Sequence, residues 1–179
     1  MKGVVFTEFL EFIEDKFGFD VSDKMIEDSS LSTDGIFTQA GNYPFDDLFN
    51  MIVNLSKITK VEVSDLVKAY GIHLFSKLIT IYPKPTQDYN NTFDFIRNVE
   101  DVVHPEVKKL YPDSDLPHFE DVKVNENELT FTYVSNKPLM DFAVGLIEGC
   151  AEYYNEKVEV SYKLIKNTNF RADFLIRKV

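Results

Sequence analysis

Near Pro117 the spacing of apolar residues changes from a helical period to strict alternation, and no other feature of the chain constrains its fold as much. Before that point Val5, Phe6, Phe9, Leu10, Ile13 and Phe17 recur at helical offsets with acids between them, and Gly18 follows as a stop. A second helical pattern covers Ser22 to Glu27. A third starts near Pro44, where Asp46 and Asp47 suit the positive end of a helix and Leu48, Met51, Ile52 and Leu55 form one face. A longer helix is expected from about Val63 to Ile81, with Ser64 as N-cap and Leu66, Val67, Tyr70, Leu74, Leu78 and Ile81 inward. Gly71 in its middle costs about 1 kcal/mol relative to Ala, which a close approach of its backbone to something bulky would explain. Pro83, Pro85 and Asn90-Asn91 break the pattern. It resumes from about Thr92 to Asn98 and again from Pro105 to Tyr111, ended by Pro112.

After Pro117, Leu129, Phe131 and Tyr133 alternate with threonines, as do Val158, Val160, Tyr162 and Leu164 with polar residues, and Phe174 and Ile176 form a shorter pair. Between these strands Met140, Ala143, Val144, Ile147 and Ala151 repeat at helical spacing over Leu139 to Tyr153. The expectation is an α+β fold in one domain spanning 1–179. Its mainly helical part, about 1–115, packs on a part of about 116–179 that carries an antiparallel sheet and a helix.

Charge and cysteine usage narrow the function. Nineteen Lys and Arg against thirty Asp and Glu leave a formal charge of −11, which repels nucleic-acid phosphates and anionic membranes. One cysteine, Cys150, excludes an internal disulfide and any multi-cysteine zinc or iron-sulfur site, and its setting between Ile147 and Ala151 suits buried packing. Acids at Glu8, Glu11, Glu14 and Asp15 interrupt the opening segment, so it does not read as a secretory leader, and no apolar run is long enough to span a bilayer. A cytoplasmic protein is expected. The sequons at Asn54 and Asn90 carry no meaning there.

The three histidines, His73, His104 and His118, lack the short spacings of a zinc site, and no P-loop, GxGxxG, GxSxG or kinase signature is present. Acids are too many for a catalytic pair to be nominated by spacing. His104 stands out because it directly precedes Pro105, which suits the first turn of a helix, within Val102, Val103, Val107 and Leu110. On spacing alone the favoured reading is a hydrogen-bonded, inert histidine at a helix start.

The string His104-Pro-Glu-Val-Lys-Lys-Leu-Tyr111-Pro112, followed by Leu116-Pro117 and Phe119, resembles the haem-ligating segment of the haem-nitric oxide/oxygen-binding (H-NOX) family, the sensor domain also found in soluble guanylate cyclases. The likeness extends to Met1-Lys-Gly-Val-Val-Phe, Ala69-Tyr-Gly71, Tyr133-Val-Ser135-Asn-Lys137 and Gly145-Leu-Ile-Glu-Gly149, in the family's order. It implies haem b buried between the helical half and the sheet. His104 then resembles the proximal iron ligand, and Tyr133, Ser135 and Lys137 occupy the Tyr-x-Ser-x-Arg motif that binds the propionates. Lys137 departs from that motif, keeping the charge but losing the planar fork of Arg. Pro117 matches the proline that presses on the porphyrin, with a plain turn-ending proline as the other reading.

The resemblance lines the distal side with Val5, Phe9, Leu74, Leu78, Phe142 and Leu146, all apolar. Dioxygen-binding relatives place a tyrosine at the position of Phe142, because a hydroxyl donor holds the partial negative charge of bound dioxygen. Tyr70 lies two turns from Leu78 and His73 falls off the assigned face, so neither is expected to supply that donor. Some bacterial members carry zinc on cysteines and a histidine near the C-terminal sheet. Here that stretch, Lys166-Asn-Thr-Asn-Phe170-Arg-Ala-Asp173, has neither.

The resemblance therefore implies a non-enzymatic sensor that takes nitric oxide and carbon monoxide at ferrous iron. Nitric oxide would break the iron–His104 bond and shift the conformation. The output would pass to a separate signalling protein such as a histidine kinase or a cyclic-di-GMP enzyme, since the length leaves no room for an effector domain. Neither nucleic acid nor membrane is an expected partner. The alternative is a dioxygen-binding haem sensor or carrier using the same His104.

Overall fold

The computed structural model describes residues 1–166 and 170–179. In the helical half, α1 (Gly3–Phe17) buries Phe6, Phe9 and Ile13 completely along one stripe. It ends at Gly18, whose φ of 89° lies where a side chain would be strained. That turn leads at once into α2 (Phe19–Glu27), three residues earlier than the apolar pattern indicates. Helix α3 (Phe45–Thr59) turns Leu48, Met51, Ile52 and Leu55 onto the same core, and α4 (Val63–Ile81) adds Leu66, Tyr70 and Leu74.

Helix α4 runs between the expected residues, but its cap differs. Glu62 occupies the N-cap without a side-chain capping bond, so Ser64 is not the cap, and Ile81 is 45 % exposed rather than inward. A short α5 (Lys84–Gln87) and α6 (Thr92–Arg97) follow. The chain then winds through a π-helical turn at Val99–Val103 into α7 (His104–Leu110), with Pro105 in its first turn. Helix α7 buries no residue fully, and Val102 and Leu110 of the anticipated apolar frame are exposed.

Four strands, β1 (His118–Val124), β2 (Glu128–Val134), β3 (Val158–Leu164) and β4 (Arg171–Lys178), form an antiparallel sheet in the order β1-β2-β4-β3. Strand β1 escapes the alternation rule. Its pairing slips between Glu120 and Lys123 at a bulge where Asp121 takes a φ of 53°. The inner face of the sheet presents Leu129, Phe131, Tyr133, Ala172, Phe174 and Ile176 to α8 (Met140–Tyr153) and α6. Cys150 is buried and free in this layer, as packing predicts.

Helix α8 lies between the two cores and packs along α4 at backbone contact distance. A Cβ on Gly71 would stand 2.6 Å from the Phe142 carbonyl oxygen, and one on Gly145 would stand 2.1 Å from that of Lys68. The close approach inferred from Gly71 is therefore to a second helix. Among the described residues no helix is long and apolar enough to cross a membrane.

Candidate functional site

Two structural devices bring His104 to its place. The first is the π-helical turn, in which the Asn98 carbonyl accepts from the Val103 N–H at 3.3 Å and the His104 N–H reaches back to Val99. One extra residue in a turn of this kind re-aims the side chains that follow it, a common device at functional sites. Here it sets Glu100 beside His104, whose imidazole Nδ1 meets the carboxylate Oε2 at 3.2 Å. The second device is β1, which lays Phe119 edge-on against the imidazole with centroids 5.7 Å apart.

The His104 side chain is 14 % exposed. Burial pushes its pKa below the ordinary histidine value and outweighs the Glu100 carboxylate, which raises it. The ring is therefore neutral near pH 7, the form that ligates metal. A carboxylate can only accept, so Nδ1 carries the proton and Nε2 keeps its lone pair. This donor set fits an axial haem ligand.

Glu100 receives two further hydrogen bonds, from His118 Nδ1 at 2.9 Å and from the Phe119 N–H at 3.1 Å. Burial raises its pKa, but the His118 and Phe119 bonds and the nearby imidazoles carry the net shift below the ordinary carboxylate range. The sequence reading missed Glu100 and its link to His118. The signal available was the four-residue spacing of Glu100 and His104, hidden because the helical pattern breaks at Asn98.

The motif of Tyr133, Ser135 and Lys137 starts at the end of β2. Tyr133 is buried against Phe119 and Phe174, and burial pushes its phenol up to about 12 against the lowering effect of a hydrogen bond with Ser135. Ser135 Oγ accepts the Lys137 N–H at 3.1 Å, which tightens the turn. The Lys137 ammonium, on a side chain 17 % exposed, pairs with Asp115. That hydrogen bond holds the Asp115 carboxyl below its usual range. These groups can offer a carboxylate ligand a hydroxyl and a cation, with Asp115 as the internal competitor. Pro117 is half-buried directly before β1, a position from which it fixes the entry to that strand.

On the other side, Val5, Phe9, Leu74, Leu78 and Phe142 gather in the core of the helical half, while Leu146 packs with the sheet-side core across α8. Tyr70, on the inward face as its spacing indicates, enters this cluster with its ring 5.1 Å from Phe9 and 5.5 Å from Phe142. Its hydroxyl is engaged, donating to the Val5 carbonyl of α1. His73 lies against Phe12, and its Nε2 is buried without a hydrogen-bond partner among the described residues.

Among the described residues no group of three His, Cys, Asp or Glu side chains could hold a metal ion. Positions 167–169 of the stretch read as lacking zinc ligands lie outside the described residues.

The family described as Haem-NO-binding matches residues 2–162. The Fe(II) unliganded H-NOX protein of K. algicida is 36 % identical, with 100 % of this chain and 97 % of that one covered at a TM-score of 0.92. The H-NOX of Shewanella woodyi, in its Fe(II)CO state with IWP-051 bound, is 34 % identical, with coverage of 100 % and 95 % and a TM-score of 0.84. An H-NOX protein of S. oneidensis in the Fe(II)NO state shares the fold at 24 % identity and a TM-score of 0.89, with 100 % and 99 % covered. Among curated protein sequences none matches.

Proposed function

The chain belongs to the Haem-NO-binding family of haem-based gas-sensing domains, and from that premise we propose that it is a sensor of nitric oxide built on one haem b ligated by His104. The observation that carries the reading is the nearly buried, neutral imidazole of His104, whose Nδ1 is held by Glu100 so that Nε2 is left for iron. When bound, the haem supplies a ferrous iron that takes diatomic gases.

The residues of the chain divide the remaining work. Tyr133, Ser135 and Lys137 hold the propionates, and Pro117 presses on the ring. Val5, Phe9, Leu74, Leu78, Phe142 and Leu146 exclude water from the gas side. Phe142 cannot donate a hydrogen bond, and the Tyr70 hydroxyl is already engaged with Val5, which favours nitric oxide over dioxygen. With haem bound, His104 would be the residue that nitric oxide displaces, and its release would free α7 to let the helical half shift against the sheet. Carbon monoxide would leave His104 attached. Nitric oxide favours the shifted state only as far as its affinities for the two states differ.

The reading is of a cytoplasmic sensor that catalyses nothing and signals to a separate protein, a histidine kinase or a cyclic-di-GMP enzyme. Its test is the ferrous protein in air and under nitric oxide. The expected results are no stable dioxygen spectrum and a five-coordinate nitric oxide complex. A stable oxy spectrum would overturn the gas preference, and a wholly six-coordinate nitric oxide complex that still altered a partner would overturn release of His104 as the trigger.

A further inference from the structure

We propose that Glu100 is the positioning residue of the iron ligand: its carboxylate holds Nδ1–H of His104, turns Nε2 toward the metal, and is shared with β1 so that its pull on His104 is graded. The inference rests on His104 being the haem ligand, as proposed above.

The geometry separates this role from that of a surface ion pair. Glu100 Oε2 accepts from His104 at 3.2 Å and from the Phe119 N–H at 3.1 Å, while Oε1 accepts from His118 at 2.9 Å. Three donors from α7 and β1 thus converge on one carboxylate. Of the two histidines, His104 is mostly buried and His118 is 60 % exposed. A metal-ligating histidine gains basicity and a fixed orientation when its other nitrogen donates to a carboxylate. Each further donor on that carboxylate draws off negative charge and weakens the gain.

Glu100 therefore strengthens the iron–His104 bond, and His118 and the Phe119 N–H moderate it. The consequence reaches the switch. A stronger iron–His104 bond resists rupture when nitric oxide binds, so the edge strand that supplies two of the three donors sets how readily the sensor fires.

Two substitutions with opposite expected effects test this. Glu100→Gln keeps a similar shape and an acceptor oxygen but removes the charge. It should lower the iron–histidine stretching frequency of the ferrous protein in resonance Raman spectra and speed haem loss by about tenfold or more. His118→Phe removes a competing donor and should raise the same frequency. It should also slow the conversion of the nitric oxide complex to its five-coordinate form. A merely structural role for Glu100 would not move the band in two directions.

Should Glu100→Gln fail to fold, His118→Phe and the unsubstituted protein decide. In the diamagnetic carbon monoxide complex the Nδ1 proton of His104 should appear as a downfield, slowly exchanging resonance that moves in His118→Phe. A band lost in His104→Gly but unmoved by Glu100→Gln and His118→Phe overturns the role of Glu100 alone, as does an Nδ1 proton that exchanges freely. A ferrous protein with no band dependent on His104 overturns the underlying assignment of the ligand.

Discussion

Replacing Gly145 by Ala probes the contact between α4 and α8, which carry Leu74, Leu78, Phe142 and Leu146 of the proposed gas side. The added methyl would stand 2.1 Å from the Lys68 carbonyl oxygen, 2.9 Å from its carbon and 3.0 Å from Gly71 Cα. Non-bonded heavy atoms settle at roughly 3.5 Å, so the contact at the Lys68 oxygen must open by about 1.4 Å. All three neighbours are backbone atoms and cannot rotate away. Overpacking of this kind costs about 1–3 kcal/mol, and a backbone neighbour places it near 3. Ala gains about 1 kcal/mol over Gly inside a helix.

The net loss is about 2 kcal/mol, which for a chain of this length lowers the melting temperature by about 4–8 °C. Gly149→Ala is the internal comparison, because its Cβ would meet the Phe75 Cβ at 2.9 Å and the Ile72 carbonyl oxygen at 3.1 Å, a milder conflict. Thermal unfolding of the ferrous proteins at matched haem content measures both. Gly145→Ala melting at or above the unsubstituted protein would refute the close-contact argument, as would Gly149→Ala proving the more damaging of the two.

Lys137→Ala should speed haem loss about tenfold, the lower end of what a charge-assisted hydrogen bond contributes, since Asp115 already engages the ammonium; Lys137→Arg should retain haem at least as well as the parent. Equal loss rates to an apomyoglobin acceptor in the three proteins would place Lys137 outside the propionate site. Glu8 is a buried carboxyl whose Oε2 has no hydrogen-bond partner among the described residues, and burial, with Glu11 beside it, raises its pKa. The folded state then holds its proton to higher pH than the unfolded chain. The benefit is full below the unfolded pKa and is lost as pH rises through the folded one. Glu8→Gln should accordingly raise the melting temperature at pH 7 and change it little near pH 4; an equal gain at both would contradict the linkage.

What could be read in the sequence follows the regularity of the backbone. Helix α4 was legible to the residue because about five turns of pattern could not be satisfied by another period, and β2 and β3 because alternation was unbroken. Strand β1 was not, since the bulge at Glu120 to Lys123 puts residues out of phase with the pleat. The same holds within the site. His104, Tyr133, Ser135 and Lys137 were nominated from short strings, whereas Glu100 lies behind a π-helical turn that shifts the helical phase by a residue. Asp115 and His118 meet Lys137 and Glu100 only through tertiary packing of β1 and β2, and among thirty scattered acids nothing marked Asp115 or Glu100. The spacing along α4 puts Tyr70 on the inward face, but the rings it contacts, Phe9 and Phe142, come from α1 and α8 and are set by tertiary packing.

The most direct test of the account is the absorption spectrum of ferrous His104→Gly, purified with and without imidazole. The account predicts little haem in the variant alone, and recovery of a five-coordinate ferrous spectrum with one haem per chain when imidazole fills the place of the missing ring. A variant that retains the parent's haem content and ferrous spectrum without imidazole would contradict it.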